Sequence, residues 1–325
     1  PENNATVLAK SVPEVDLVVI GHTHQDDPVE IVDGISGHKA VITQPDYWAR
    51  SVSQVTIPLN FSATKATIRH DQITVRPRYT RDVEEDTEFA SDSQLQTDHK
   101  ATVRYVNSVV ATSTETLTTE RSMVEDTPIL DFIGKVEADT VAKAIKGGTY
   151  NGIPVIAQVS PFSRTAAFPK GDVKIKDIAG LYVFDNTLAG ILLTGKQLKD
   201  YLEYSAKYFK QVKKGAAVNP APASEGGDTQ ADYQGKPVWD YNYDAVTGVT
   251  YSIDISRPVG ARILGLSWQG RPVAHDQRFV LAINNYRMSG GGDYPHVTEA
   301  PVVWDEILEI RQLLCLLYTS PSPRD

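Results

Sequence analysis

Val15-Asp-Leu-Val-Val-Ile-Gly-His-Thr-His24 decides how the first part of this chain is read. Five of the six residues from Val15 to Ile20 are apolar, a run too short for a helix and rich in Val and Ile. That is the pattern of a buried strand. Gly21 allows the backbone to turn sharply off the strand end. His22 and His24, two apart on an extended segment, point their imidazoles to the same side. Imidazole is the commonest neutral ligand for Zn, Mn or Fe. Two of them leaving one strand end suit a pair of metal ions roughly 3.5–4 Å apart, one His on each. A polar loop with two incidental histidines has the same spacing.

The whole chain sets the frame around this stretch. At 325 residues it has room for two domains with real cores. With 41% apolar and 22% charged residues it reads as an ordinary soluble globular protein. Its net charge of −9 argues against a nucleic-acid polymer as partner, which would want a basic face. No apolar run approaches the length of a membrane-spanning helix. Cys315-Leu-Leu-Tyr-Thr-Ser-Pro-Ser-Pro-Arg-Asp325 looks like the translated read-through of a sequencing adapter and is set aside as a scar, along with the only cysteine.

After the histidine loop, strands are expected over Ala40–Thr43 and Val52–Leu59, the latter with Val55, Ile57 and Leu59 on its apolar face, and a hairpin over residues 66–75 around His70-Asp71. His38 and His70 are isolated and read as surface or hairpin positions. Residues 81–90 are acidic, the mark of a solvated face. Leu95, Val103, Val106 and Val110 then fall at helical spacing, predicting a linker helix. Helices follow over Ile129–Ile145, ended by Gly147-Gly148, and over Lys196–Val212 with Leu198, Tyr201, Leu202 and Tyr208 inward. Strands are expected at Ile153–Val159, up to Leu193, and at Val249–Ile255, Ala261–Trp268 and Phe279–Ile283, with an exposed loop over 213–236 and a closing helix over Val303–Leu314.

The second half carries Asn284-Asn-Tyr-Arg-Met-Ser-Gly-Gly-Gly-Asp-Tyr294 at the end of an apolar strand. Three glycines after a strand make a tight loop where backbone can approach a ligand. Arg287 or Tyr294 could touch that ligand, and a glycine-rich turn holding a packed tyrosine explains the pattern equally well.

Resemblance sharpens both readings. Gly21-His22-Thr23-His24 after an apolar strand resembles the last metal motif of the calcineurin-like metallophosphoesterases, whose earlier motifs lie upstream and are absent here. Residues 284–294 resemble the nucleotide-binding loop of the 5′-nucleotidase C-terminal domain, and residues 241–254 its other aromatic segment. The resemblance implies a mixed α/β and α+β chain: the truncated C-terminal part of a metallophosphoesterase αββα sandwich (1–81), an acidic loop and linker helix (82–116), a nucleotidase-type α/β substrate-binding domain (117–314) and the scar (315–325). It also implies two divalent metal ions, zinc, manganese or similar, with His22 and His24 each ligating one. A nucleotide base would lie sandwiched between Tyr243 and Tyr294, with Arg164, Asn186, Asn284, Arg287 and Gly291 completing the substrate site.

Ser160-Pro161-Phe162 and Asp185-Asn186-Thr187-Leu188 resemble the 2′,3′-cyclic-nucleotide 2′-phosphodiesterase/3′-nucleotidase branch. A 5′-nucleotidase or UDP-sugar hydrolase is the alternative. A non-catalytic nucleotide-binding surface protein is the alternative of another class. The branch implies a periplasmic, secreted or cell-surface location; oligomeric state is not legible. No catalytic set is complete in this chain, because two histidines are too few ligands for a two-metal site. The 325-residue chain is therefore expected to hydrolyse no phosphoester above background, and metal-dependent turnover by the purified chain would overturn that reading. Ser320-Pro-Ser-Pro-Arg-Asp325 has no apolar periodicity and two prolines and is expected not to pack, so deleting 315–325 should leave the melting temperature unchanged.

Overall fold

Alternation of apolar side chains between two faces organises the larger part of the molecule. The structure is a computed structural model that describes residues 4–21, 26–69 and 72–319; His22, His24, His70 and Asp71 lie outside them. The chain divides into two units, Pro1–His99 and Lys100–Asp325.

In the first unit, α1 (Ala5–Ser11) packs on a three-stranded sheet of β1 (Leu17–Val19), β2 (Asp27–Asp33) and β3 (Lys39–Gln44), ordered β1-β3-β2. β1 runs parallel and β2 antiparallel to the central β3. Ala5, Ala9, Val32, Ala40 and Ile42 form its small core. The expected strands at 15–20 and 40–43 are present, but the first covers only Leu17–Val19 and is not buried as expected, Val19 being 68% exposed. The expected strand over 52–59 is split into β4 (Ser51–Thr56) and β5 (Leu59–Phe61). β4 pairs with β7 (Thr74–Tyr79), while β5 pairs with β6 (Ala66–Ile68) in a hairpin that turns at 62–65, ahead of His70. Val55 is half-buried, whereas Ile57 and Leu59 are exposed.

Asp86 begins α2 (Thr87–Ser91), its carboxylate accepting from the Glu88 and Phe89 amides. A carboxylate there satisfies orphan amides and meets the positive end of the turn. The expected linker helix is α3 (Ser93–Val106), with no buried residue; Val110, expected on it, lies in a strand instead.

The second unit begins with β8 (Val109–Ser113) and β9 (Leu117–Thr118), followed by α4 (Pro128–Ala144) and β10 (Val155–Val159). Then come β11 (Ala167–Phe168), β12 (Gly171–Lys174), α5 (Ile175–Leu181), β13 (Thr187–Thr194) and α6 (Gly195–Ser205). β14 (Asp232–Tyr233), β15 (Lys236–Pro237), β16 (Ala245–Thr247), β17 (Thr250–Ile253), β18 (Ile263–Trp268), β19 (Arg271–Pro272), β20 (Arg278–Asn284), α7 (Asn285–Met288), β21 (Val302–Glu309) and α8 (Ile310–Thr319) complete it. β8 pairs with β12, so residues 109–113 are built into this unit.

Its centre is a five-stranded sheet ordered β16-β10-β20-β13-β21, in which only β10 and β20 run parallel. Val280 and Ala282 face a core shared with α4, α5 and α8; Phe279, Leu281 and Ile283 face one shared with α6 and β18. A strand buried on both faces reads as an unbroken apolar run, which is why 279–283 was legible. Thr194 and Gln197 form a reciprocal capping box that starts α6. At its other end Arg262 donates to the carbonyls of Ala206 and Phe209, at 2.7 Å each, while Glu203 accepts from the amides of Arg262 and Ile263.

Two expectations are corrected here. The closing helix over 303–314 is instead strand β21 through Glu309, paired to β13, followed by α8. Val302-Val-Trp are strand formers, and β13 offered an open edge that outweighed the helical spacing. Deleting 315–325 is expected to cost no stability, yet α8 continues through Thr319 and Cys315 packs against the core; residues 320–325 lie outside the described residues. Truncation after Leu314 is accordingly expected to lower the melting temperature.

Glu137 of α4 is buried, and its Oε2 has no hydrogen-bond partner among the described residues. Burial, helped by the neighbouring Asp244 carboxylate, pushes its carboxyl well above the ordinary value of 4.5. The folded state therefore keeps a proton that the unfolded chain releases. Stability from this group is full below 4.5 and is lost as pH rises toward the raised folded value. The loss runs at about 1.4 kcal/mol per pH unit. Glu137→Gln should flatten the fall in urea midpoint as pH rises above about 5. An unchanged slope would show that Glu137 does not titrate in this way.

Candidate functional site

The loop after β20 owes its shape to its own side chains. Asn284, at the strand end, accepts from the Arg287 amide at 2.8 Å and starts the short α7. Its amide group donates to Gln158 of β10 at 2.9 Å. α7 brings the Arg287 guanidinium back under the loop, where it is buried against an equally buried Asp244. Arg287 Nε and Nη2 donate to the two Asp244 oxygens at 2.7 and 3.0 Å. Its other donors reach Asn242 Oδ1 at 2.7 Å and the carbonyls of Gly291 and Tyr241 at 3.2 and 2.8 Å. Every donor is used. Burial disfavours the guanidinium charge, but Asp244 outweighs it and holds the arginine firmly protonated.

The glycines follow from this packing. A Cβ on Gly291 would lie 2.5 Å from the Tyr286 ring, and one on Gly292 2.9 Å from Arg287 Nη1. Gly290 and Gly292 also sit at φ of 100° and 78°, in left-handed conformations. The close approach inferred from Gly290-Gly-Gly292 is real, but what approaches is the loop's own tyrosine and arginine.

The aromatic sandwich is corrected. Tyr294 is enclosed against Tyr201 and Tyr204, at centroid distances of 4.3 and 4.9 Å, and donates to the Asn242 carbonyl at 2.6 Å. Tyr243 stacks on Tyr208 at 4.9 Å and meets Phe209 edge-on. The two belong to different apolar clusters and do not face one another across a slot. Arg287 and Asn284, expected to touch substrate, are buried and committed to protein partners. Of the expected substrate residues, Arg164, Asn186 and Gly291 remain half-exposed. His22 and His24 lie outside the described residues, and among the described residues no group of three His, Cys, Asp or Glu side chains could hold a metal ion.

What reaches the surface is a different set of rings. Phe184, 37% exposed, lies 4.8 Å from Phe162 and 6.4 Å from Tyr241. Trp239, 43% exposed, lies nearly parallel to Tyr241 at 6.3 Å, and Tyr286 meets Tyr241 edge-on at 6.5 Å. Asn186 borders this strip through Tyr182, which packs on Phe162. Arg164 stands beside it, donating to Asp240 at 3.0 Å, to the Tyr208 hydroxyl at 2.6 Å and to the Pro220 carbonyl at 2.7 Å. Tyr208 in turn donates to Asp240 at 2.6 Å; burial and that carboxylate push its hydroxyl well up. Half-exposed π faces beside a fixed guanidinium can stack a planar base and attract an anion. Sequence reasoning missed Phe184, Trp239, Tyr241 and Tyr286, although all four lie in segments it quoted or next to them.

Asp244→Asn would leave the Arg287 charge buried and half-paired, and should cost about 3–5 kcal/mol in urea unfolding. Tyr294→Phe removes the bond to the Asn242 carbonyl and should cost about 0.5–1.5 kcal/mol. A variant as stable as the parent would show that this hydroxyl contributes nothing.

Comparison with known proteins gives a consistent picture. The chain is 27% identical over 361 residues to the 2′,3′-cyclic-nucleotide 2′-phosphodiesterase/3′-nucleotidase of Haemophilus influenzae, covering 100% of this chain and 52% of that protein. It is 26% identical over 341 residues to the trifunctional nucleotide phosphoesterase protein YfkN of Bacillus subtilis, covering 96% of this chain and 22% of that protein. The chain thus spans about half, or less, of these curated relatives. A Staphylococcus aureus protein described as a 5′-nucleotidase superposes with a TM-score of 0.68 at 25% identity, over 95% of this chain and 54% of that one. The 5′-nucleotidase precursor of Thermus thermophilus shares the fold, with a TM-score of 0.53 at 17% identity over 96% of this chain and 58% of that one. Residues 109–299, more than half of the chain, match the family described as 5′-nucleotidase, C-terminal domain, and the chain belongs to that family.

Proposed function

We propose that this chain is the nucleotide-recognising part of a phosphoester hydrolase, of the 2′,3′-cyclic-nucleotide 2′-phosphodiesterase/3′-nucleotidase type. The observation that carries this reading is the half-exposed aromatic strip of Phe184, Trp239 and Tyr241 beside Arg164, in a domain of the nucleotidase family. A base stacks on the rings; the sugar and phosphate lie toward Arg164 and Asn186. Gly291 shapes the loop that supports Tyr286. Binding energy gathered on the remote base then positions the reacting phosphate.

In the parent enzyme His22 and His24 would each hold one of two divalent metal ions, which would neutralise phosphate charge during displacement. The names of the relatives support a nucleotide as substrate. A periplasmic, secreted or cell-surface location accords with this branch. No helix among the described residues is long and apolar enough to cross a membrane.

Each stacked ring should contribute about 1–3 kcal/mol, so Phe184→Ala should weaken binding of 3′-AMP to the chain by roughly five- to a hundred-fold. Calorimetric titration measures this directly, and unchanged affinity would remove the base from the strip. Assay of the parent-length enzyme on 2′,3′-cyclic AMP, 3′-AMP and 5′-AMP distinguishes the proposed branch from a 5′-nucleotidase. Absence of turnover on all three would favour a non-catalytic nucleotide-binding surface protein.

A further inference from the structure

A second concavity lies on this unit, lined by residues from the segment leading into α4, from α4 itself and from β16 and β17. It is a cleft of about 440 Å³, a size that accepts a small organic molecule. It includes none of Phe184, Trp239, Tyr241 and Arg164, the groups of the nucleotide surface. Leu130, Val249 and Ile253 give it apolar walls. Three carboxylates line it as well, but Glu125 is already paired with Arg121. Asp126 and Asp131 have no Lys, Arg or His partner among the described residues. Both are exposed; partial burial, and then the charge of Asp126, raises the Asp131 carboxyl.

Tyr243 supplies an independent observation. It lines the same cleft and is 5% exposed, yet its hydroxyl makes no hydrogen bond among the described residues. Glu137 Oε2 is the only fully enclosed, unpartnered side-chain atom among them. The Tyr243 hydroxyl is therefore not sealed in, and it opens into the cleft. An unpartnered polar tip on the wall of a cleft can take its hydrogen bond from a ligand held there.

We propose that this cleft binds an organic amine, its ammonium held by Asp126 and Asp131 and its apolar body lying along Leu130, Val249 and Ile253. The Tyr243 hydroxyl bonds to a polar atom of that ligand. Two unpaired carboxylates repel a nucleotide phosphate, so the cleft and the aromatic strip select ligands of opposite charge. A bare cation would leave the apolar walls unused, which favours an amine carrying hydrocarbon.

The probe is 4-phenylbutylamine, titrated calorimetrically into the full chain in MOPS buffer, with 4-phenylbutyrate as the isosteric anion. Saturable one-to-one binding of the amine is expected, with the butyrate at least roughly tenfold weaker, a difference of about 1.4 kcal/mol. Asp126→Asn with Asp131→Asn should weaken the amine by at least about tenfold while the melting temperature stays near that of the parent. Val249→Trp, which fills the cleft from one wall, should block it. No saturation by roughly 10 mM amine, a value that already corresponds to negligible affinity, would overturn the proposal. So would equal binding of the butyrate, or binding unaffected by both variants. Displacement of the amine by calcium chloride at equimolar concentration would overturn it in favour of a metal site.

Discussion

The ion pair between Asp244 and Arg287 fixes the geometry of the second unit's working end. Asp244 also accepts from Ser160 and Tyr201, each at 2.5 Å, so one carboxylate ties the end of β10, the helix α6 and the loop after β20 to a single point. Taking both charges out of water is costly, and an apolar replacement of the same shape could be as stable. What the pair supplies is position. Five guanidinium donors in a rigid fork define where Tyr241, Asn242 and Gly291 must stand, and Tyr241 and Tyr286 are oriented as a result. The rings offered to solvent are held in place by an ion pair that never meets solvent.

Much of the fold was legible in the sequence, for a simple reason. β10, β13 and β20 are covered on both faces, so their interiors are apolar apart from Gln158 in β10, and α4 and α6 keep helical spacing against the sheet. Edges were less legible. β21 has one strand partner, and its apolar residues at 302–304 and 307–308 satisfy helical and strand spacing about equally; only the presence of β13 decides. In the first unit, β4 buries Ser51 and exposes Val52, the reverse of what hydropathy predicts.

The site was half legible. Its segments, 160–164, 184–188, 241–254 and 284–294, were identifiable, but the facing of individual side chains was not. Tyr241 and Tyr243 would share a face in a strand. A 3₁₀ turn over Asp240–Asn242 rotates them apart, so Tyr243 stacks inward on Tyr208 while Tyr241 joins the half-exposed strip. Tyr294 follows residues in left-handed conformations and turns into the core beside Tyr201. Backbone reversals of this kind depend on the buried pair, which is assembled from residues 43 positions apart. No local pattern carries that information.

The edge strand β21 has a bearing on how the protein behaves at high concentration. A sheet edge presents unpaired amides and carbonyls, a template on which another chain can extend. Here that edge carries an apolar residue, Ile307, 90% exposed. It is guarded in two ways. The register with β13 shifts twice, between Thr187 and Ala189 and between Gly190 and Ile191, so the edge is not a flat ladder. Asp305 and Glu306 precede Ile307 and Glu309 follows shortly after, so two copies brought edge to edge would place like charges together. Kinking and acidity together make this edge a poor seed for fibrillar stacking, despite its hydrophobic tip.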